Sequence, residues 1–138
     1  MKEFENKIVV LTGASSGIGY SLLNYFINEG AIVYASSRNE REITEKDKQN
    51  CNFELLDLAG ERNVEKYTRT ILENENHIDV LINNAGVAHN LALIEEMNSE
   101  MFSSIIRDNI MPTFNMMKYI IPVMKKSNSG TVINVSSR

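Results

Sequence analysis

The chain has 138 residues, of which 43% are hydrophobic, and we expect residues 1–138 to form a single globular domain. The formal net charge is −4 and Lys and Arg form no cluster, which excludes the basic surface typical of nucleic-acid-binding domains. No apolar run reaches transmembrane length and no signal peptide precedes the first predicted strand, so we expect a cytoplasmic protein without membrane contact.

Apolar runs rich in β-branched residues alternate with stretches of helical periodicity along the chain. The predicted strands cover 7–12, 31–36, 52–57, 78–83 and 130–136. The predicted helices cover 17–28, 60–75 and 99–126, and Pro112 and Pro122 should bend or interrupt the last one. Strands that alternate with helices in this way predict a parallel sheet with helices on both faces, which is a doubly wound α/β domain.

A loop with three glycines leads from the first predicted strand into the first predicted helix. At such a junction, unpaired backbone N–H groups and the positive end of the helix dipole can bind an anion such as a pyrophosphate. Gly13 would permit the tight turn, Gly17 the close approach of a phosphate, and Gly19 the packing of the helix against the sheet. No Gly-Lys-Ser/Thr follows, which excludes a Walker-type loop, whereas a purely structural turn is an open alternative.

The second predicted strand leads into Ser36-Ser37-Arg38. Nicotinamide-dinucleotide sites often carry an acidic residue at this point, where it accepts hydrogen bonds from the adenosine ribose. A guanidinium can instead pair bidentately with a 2′-phosphate, which a carboxylate would repel. Arg38 therefore favours NADP(H) over NAD(H), and a solvated surface arginine is the alternative interpretation.

Side chains that bind metals are scarce in the sequence. His77 and His89 lie in polar stretches without a Cys or carboxylate at ligand spacing, so we predict two exposed histidines and no metal site. The methionines between 97 and 124 recur at helical spacing among Ile and Phe, which indicates core packing. Cys51, the only cysteine, precedes an apolar run, and we predict a small buried side chain there.

Four groups of residues stand at a distinctive spacing. They are Thr12-Gly-Ala-Ser-Ser-Gly-Ile-Gly19, Asp57-Leu58, Asn83-Asn-Ala-Gly86, and Asn109 with Val132-Ile-Asn-Val-Ser-Ser137. In these motifs the whole chain resembles the N-terminal part of the short-chain dehydrogenase/reductase family. The resemblance implies a Rossmann-like doubly wound parallel sheet with five strands present, truncated before the remaining strands and helices of a usual family domain.

The resemblance also implies a role for individual residues in cofactor binding. The residues that would contact the cofactor phosphates are Gly13, Ser15, Ser16, Gly17, Ile18 and Gly19. Asp57 and Leu58 would meet the adenine. Asn83 to Gly86 would support the central strand and the adenosine half of the cofactor, through Asn84 above all and through Ala85 and Gly86. Turn formation at Asp57 and strand capping at Asn84 can coexist with these roles.

Two further residues would serve catalysis. By the resemblance, Asn109 would bend its helix and hold a water of the proton relay, and Ser137 would hydrogen-bond the substrate carbonyl or hydroxyl. The family's Tyr-x-x-x-Lys pair, which follows that serine, is not found in the sequence, since none of the five tyrosines has a lysine four residues later. A chain ending at Arg138 would also expose its fifth strand as an edge, which favours self-association.

These motifs together predict an NADP(H)-dependent oxidoreductase that transfers hydride between the nicotinamide and an alcohol or carbonyl substrate. We expect residues 1–138 alone to be inactive, because they lack the Tyr-x-x-x-Lys segment. The resemblance further implies a homo-oligomer with helix 99–126 in its interface. An inactive NADP(H)-binding module and a truncated gene product are the alternatives that the sequence leaves open.

Overall fold

The computed structural model describes residues 2–137. The strands are β1 (Ile8–Thr12), β2 (Ile32–Ser37), β3 (Asn52–Leu55), β4 (Val80–Asn83) and β5 (Thr131–Asn134). The helices are α1 (Gly17–Asn28), α2 (Glu45–Asn50), α3 (Glu61–Asn74), α4 (Ser99–Asn109) and α5 (Met111–Ser127), with a 3₁₀ turn at Ile94–Glu96. Each of the five predicted strands is confirmed, and their ends shift by at most two residues.

All five strands form one parallel sheet in the order β3-β2-β1-β4-β5. Val9 of β1 pairs with Val33 of β2 on one side and with Val80 of β4 on the other. The chain therefore builds outward from β1 in both directions, which confirms the predicted doubly wound, Rossmann-like fold. In such sheets the loops that follow the two central strands leave toward opposite faces, and a crevice where ligands bind opens between them.

The core lies on both faces of the sheet because alternate residues of β1 point to opposite sides. Val9 and Leu11 belong to one buried cluster with α1, whereas Ile8 and Val10 belong to a second cluster with α3 and α5. The methionines at 116 and 124 are buried in this second cluster, as the helical spacing predicts. Cys51 is only half-buried, and burial raises the pKa of its thiol to about 11.

The helix predicted over 99–126 is in fact two helices. α4 ends at Asn109, α5 begins at Met111, and Ile110 lies between them. Pro112 stands in the first turn of α5, where a missing N–H leaves no intrahelical hydrogen bond unmade. The interruption therefore falls at Ile110, directly after Asn109, whereas Pro122 lies inside α5 without ending it.

The short helix α2 is absent from the predicted elements. Its six residues contain no apolar side chain, so no hydrophobic periodicity marks it. Instead the Thr44 hydroxyl accepts a hydrogen bond from the Asp47 N–H at 3.2 Å, and the Asp47 carboxylate accepts one from the Thr44 N–H at 2.8 Å. This reciprocal capping box starts the helix. No helix within residues 2–137 has both the length and the apolar character needed to cross a membrane.

Candidate functional site

A cleft opens at the carboxyl ends of β1, β2 and β4, and its volume, counted together with the solvent space at its mouth, is about 630 Å³. It lies in the crevice where a doubly wound sheet binds ligands. The glycine loop, the end of β2, the segment after β3, the segment after β4 and the end of α4 form its walls. The residues that line it include Gly13, Ser15, Arg38, Asn39, Arg41, Asp57, Leu58, Ala85, Gly86, Arg107 and Asp108.

The three glycines of the loop differ in what surrounds them. Gly13 has φ +66°, and a Cβ there would lie 2.9 Å from the Ala85 Cα. A Cβ on Gly19 would overlap the Gly13 carbonyl oxygen, so this glycine allows α1 to pack against the end of the sheet. Gly17 has φ +55°, and no atom lies within 4 Å of its Cβ position. Only Gly17 therefore faces open space, at the N-terminus of α1.

Thr12 joins the glycine loop to the segment that follows β4. Its side chain is buried, and its hydroxyl oxygen accepts hydrogen bonds from the N–H groups of Asn84 and Ala85, each at 3.0 Å. The Asn84 side chain donates to the Gly13 carbonyl at 3.1 Å, and the Asn83 side chain donates to Asn134 of β5 at 2.8 Å. These bonds tie the end of β4 to the glycine loop and to β5. A direct cofactor contact by Asn84 stays a prediction.

Asn109 fastens the end of α4 to the same segment. Its side-chain oxygen accepts a hydrogen bond from the Val87 N–H at 2.9 Å, while its side-chain nitrogen donates to the Ile105 carbonyl at 3.2 Å. A Cβ on Gly86 would lie 2.9 Å from that oxygen, so a glycine there allows the close approach. Both ends of the amide are thus used within the protein, and the relay-water role stays a prediction.

Ser15 connects the glycine loop to the end of β2. Its hydroxyl is buried, lies 2.7 Å from the Ser37 hydroxyl and donates to the Asn39 side-chain oxygen at 3.0 Å. Ser16 is the N-cap of α1, and its neighbour Ile18 is exposed. The Ser15 hydroxyl thus connects to the side chains of the two residues that flank Arg38, which follows β2 and lines the cleft.

Four charged side chains meet at the cleft, and we call them the cleft charge cluster: Arg38, Asp57, Arg107 and Asp108. Arg107 donates to the Asp57 carboxylate at 2.5 Å and to the Asp108 carboxylate at 2.9 Å. Arg38 pairs with the same Asp108 oxygen at 3.3 Å. The other Asp57 oxygen accepts the Ala59 N–H at 3.0 Å, so the loop after β3 is held at this point. The positive charges of two guanidinium groups thus balance the negative charges of two carboxylates.

The remaining predicted residues lie outside this cluster. Leu58 is buried in the core, and its carbonyl accepts a hydrogen bond from Asn115 of α5 at 2.9 Å. His77 is about half exposed, as predicted, but His89 is largely covered and its ring nitrogen lies 4.0 Å from Asp108. Among residues 2–137, no three His, Cys, Asp or Glu side chains come together as a metal site. Ser137 lies beyond the end of β5 and outside the set that lines the cleft.

An acidic residue that no sequence pattern predicts, Glu42, lies at the N-terminus of α1. The N–H of Gly17 donates a hydrogen bond to the Glu42 carboxylate at 3.2 Å. No sequence pattern predicts Arg107 and Asp108 as site residues either. Their position directly before Asn109, which belongs to one of the motifs, is the signal that could have indicated them. An anionic oxygen already occupies the helix terminus where the sequence predicts a pyrophosphate, so the donors present suit an anion.

The model of the short chain dehydrogenase family matches residues 7–138. Over 139 aligned residues the chain is 33% identical to a 3-oxoacyl-acyl-carrier-protein reductase of Chlamydia trachomatis, covering 96% of this chain and 56% of that protein. The chain spans about half the length of the curated relatives that it matches.

Two solved structures are similar in fold and in sequence. The aldohexose dehydrogenase of Thermoplasma acidophilum in ligand-free form has a TM-score of 0.86 and 28% identity, covering 99% of this chain and 51% of that one. The structure of ElxO with NADP bound has a TM-score of 0.85 and 29% identity, covering 96% of this chain and 56% of that one. The sheet and the helices around the cleft are therefore shared with proteins of about twice the length.

Proposed function

The chain belongs to the short-chain dehydrogenase family, and from that premise we propose that it forms the NADP(H)-binding part of an oxidoreductase. The surroundings of Gly17 are the main support for this proposal. Its N–H points to an anionic oxygen at 3.2 Å, while the space at its Cβ position is open. A glycine in the left-handed region at the start of a helix therefore leaves room for a phosphate where a larger residue would not.

Arg38 is the reason for proposing NADP(H) in particular. It lies at the end of β2 and lines the cleft, and its side chain is 43% exposed. A guanidinium in that position can donate two parallel hydrogen bonds to a 2′-phosphate, which adds about two negative charges to the dinucleotide. The structure of ElxO contains NADP, so a relative at 29% identity binds the cofactor that we propose here.

The remaining residues of the cleft would hold the cofactor as follows. The glycine loop with Ser15, Ser16 and Ile18 would bind the phosphates through its backbone. Asp57 and Leu58 would border the adenine, and the segment from Asn84 through Ala85 to Gly86 would border the adenosine half. NADP(H), when bound, supplies or accepts the hydride. The substrate class is an alcohol or carbonyl compound of small size.

The catalytic step requires a proton at the substrate oxygen, which becomes negatively charged when a carbonyl is reduced. Ser137 would orient that oxygen by a hydrogen bond, and Asn109 would hold a relay water. Neither side chain supplies an acid near neutral pH. Because residues 1–138 contain no Tyr-x-x-x-Lys pair, we expect these residues alone to reduce carbonyls only at trace rates. The absence of a positioned general acid costs on the order of 10²–10⁴ in rate.

Equilibrium titration with NADPH and NADH tests the proposal. An arginine–phosphate contact contributes about 1.5–3 kcal/mol, so we expect an NADPH preference of about 10- to 100-fold, which Arg38→Ala removes. Arg62→Ala, which changes an exposed arginine of α3, is the matched control. Equal affinities for the two dinucleotides in the unmodified protein would contradict the assignment of NADP(H). Tight NADPH binding without turnover in the full-length protein would favour the inactive binding module.

A further inference from the structure

We infer that Asp108 is a specificity-determining residue of the cofactor site and that its carboxylate lowers the preference for a 2′-phosphorylated dinucleotide. The inference rests on the proposed function, because it concerns how strongly the cleft discriminates between two cofactors. Arg38 provides the attraction for the phosphate, and Asp108 opposes it from the other wall of the cleft.

The first observation is the pairing across the cleft. Arg38 extends from the end of β2 and Asp108 from the last turn of α4, and both line the cleft. Their side chains meet at 3.3 Å, which leaves no space for another group between those two atoms. The Asp108 side chain is only 17% exposed, whereas that of Arg38 is 43% exposed. A phosphate that binds Arg38 must therefore approach beside a carboxylate that is itself held in place.

The second observation is the balance of charge around that pair. In the cleft charge cluster, Arg38 and Arg107 carry two positive charges, and Asp57 and Asp108 carry two negative ones. The sum within the cluster is thus zero, and His89 near Asp108 adds a charge only when protonated. Arg41 also lines the cleft. Removing the charge of Asp108 would leave the cluster with a positive excess beside the proposed phosphate position.

The charge of Asp108 should affect the affinity for NADPH more than the affinity for NADH. A 2′-phosphate carries close to two negative charges near Asp108, whereas the corresponding ribose hydroxyl of NADH carries none. At the partly screened edge of a protein, a carboxylate several ångströms from such a group changes its affinity by about three- to tenfold. Asp108 should therefore weaken NADPH binding and have little effect on NADH binding.

Asp108 can be neutralised with little disturbance of the fold. Asn has nearly the same shape as Asp and keeps an oxygen that accepts a hydrogen bond from either arginine. Arg107 also donates to Asp57 at 2.5 Å, so the end of α4 stays attached to the loop after β3. Changes in the ratio of the two affinities therefore report charge, since a general loosening of the cleft would weaken both cofactors together.

The experiment measures dissociation constants for NADPH and NADH with the unmodified protein and with Asp108→Asn. We expect the NADPH preference to rise by about three- to tenfold in Asp108→Asn, with the affinity for NADH changed less than about twofold. Asp108→Glu keeps the charge and should leave the preference within about twofold. Glu65→Gln is a matched control, since that carboxylate pairs with Arg69 at 3.4 Å on the surface of α3.

Each other outcome overturns the inference in an identifiable way. A preference that is unchanged in Asp108→Asn means that the carboxylate has no influence on the phosphate. A preference that falls means that Asp108 holds Arg38 in its binding position. If the unmodified protein prefers NADPH and either of these results is found, the inference fails and the proposed function stands. If the unmodified protein binds neither dinucleotide, the proposed function and the inference both fail.

Discussion

The Glu42 carboxylate accepts a hydrogen bond from the Gly17 N–H at 3.2 Å, so the protein places an acidic side chain at the N-terminus of α1. The backbone of Glu42 is held in the same region, because its N–H donates to the Ser15 carbonyl at 2.9 Å. The positive end of the helix dipole favours such a carboxylate. A pyrophosphate bound at this terminus must displace it.

Replacing Glu42 by glutamine should strengthen dinucleotide binding. A charge at a helix terminus contributes about 0.3–1 kcal/mol, so losing this competitor predicts NADPH binding tighter by about two- to fivefold. Fluorescence titration of NADPH with Glu42→Gln measures it. Glu40→Gln is the matched control, because Glu40 pairs with Lys48 at 2.9 Å. Weaker binding in Glu42→Gln would mean that Glu42 supports the site.

Gly17→Val should abolish NADPH binding while the fold is retained. No atom lies within 4 Å of the Gly17 Cβ position, so the added side chain meets solvent space and not the core. Its φ of +55° disfavours other residues, which costs about 1–2 kcal/mol of stability and does not unfold α1. Circular dichroism and NADPH titration of the same sample test this. Normal binding with an unchanged spectrum would show that the loop is only a structural turn.

Thr12→Val should destabilise the protein although the two side chains have nearly the same shape. The variant leaves the N–H groups of Asn84 and Ala85 without the oxygen that both contact at 3.0 Å. Thr12 is 1% exposed, so water cannot easily replace that oxygen. We expect a loss of about 2–4 kcal/mol in the free energy of unfolding, measured by urea denaturation. Thr12→Ser keeps the hydroxyl and should retain most of the stability that Thr12→Val loses. Equal losses in both variants would refute the role of these bonds.

The sequence predicted those parts of the fold and site that depend on neighbouring residues. The strand, glycine loop and helix of residues 8–28 follow from local patterns, and so does the helix of 61–74. Arg38, Asp57 and Asp108 lie far apart in the chain, and no periodicity indicates that they meet. Glu42 follows a charged stretch that resembles any exposed loop. Contacts of this kind depend on how the sheet brings separate loops together, which single-sequence patterns do not record.

An apolar row on α4 and the start of α5 predicts self-association. Phe102, Ile106, Ile110 and Phe114 recur every four residues and are 36% to 55% exposed. Exposed apolar side chains that lie together in this way are typical of an interaction surface. Light scattering should give a molar mass above that of one chain, and Phe114→Glu should lower the measured mass. Leu55→Glu, at an equally exposed apolar position on β3, should leave it unchanged. A monomer in the unmodified protein would contradict the homo-oligomer.

A crystal structure of the protein with NADPH is the most direct test of the proposed cofactor site, because it locates each phosphate. We expect the pyrophosphate at the N–H groups from Gly17 to Gly19, with the Glu42 carboxylate displaced, and the 2′-phosphate on Arg38. The proposed site is contradicted if NADPH binds outside this cleft, or if the Gly17 N–H still donates to Glu42 when NADPH is bound.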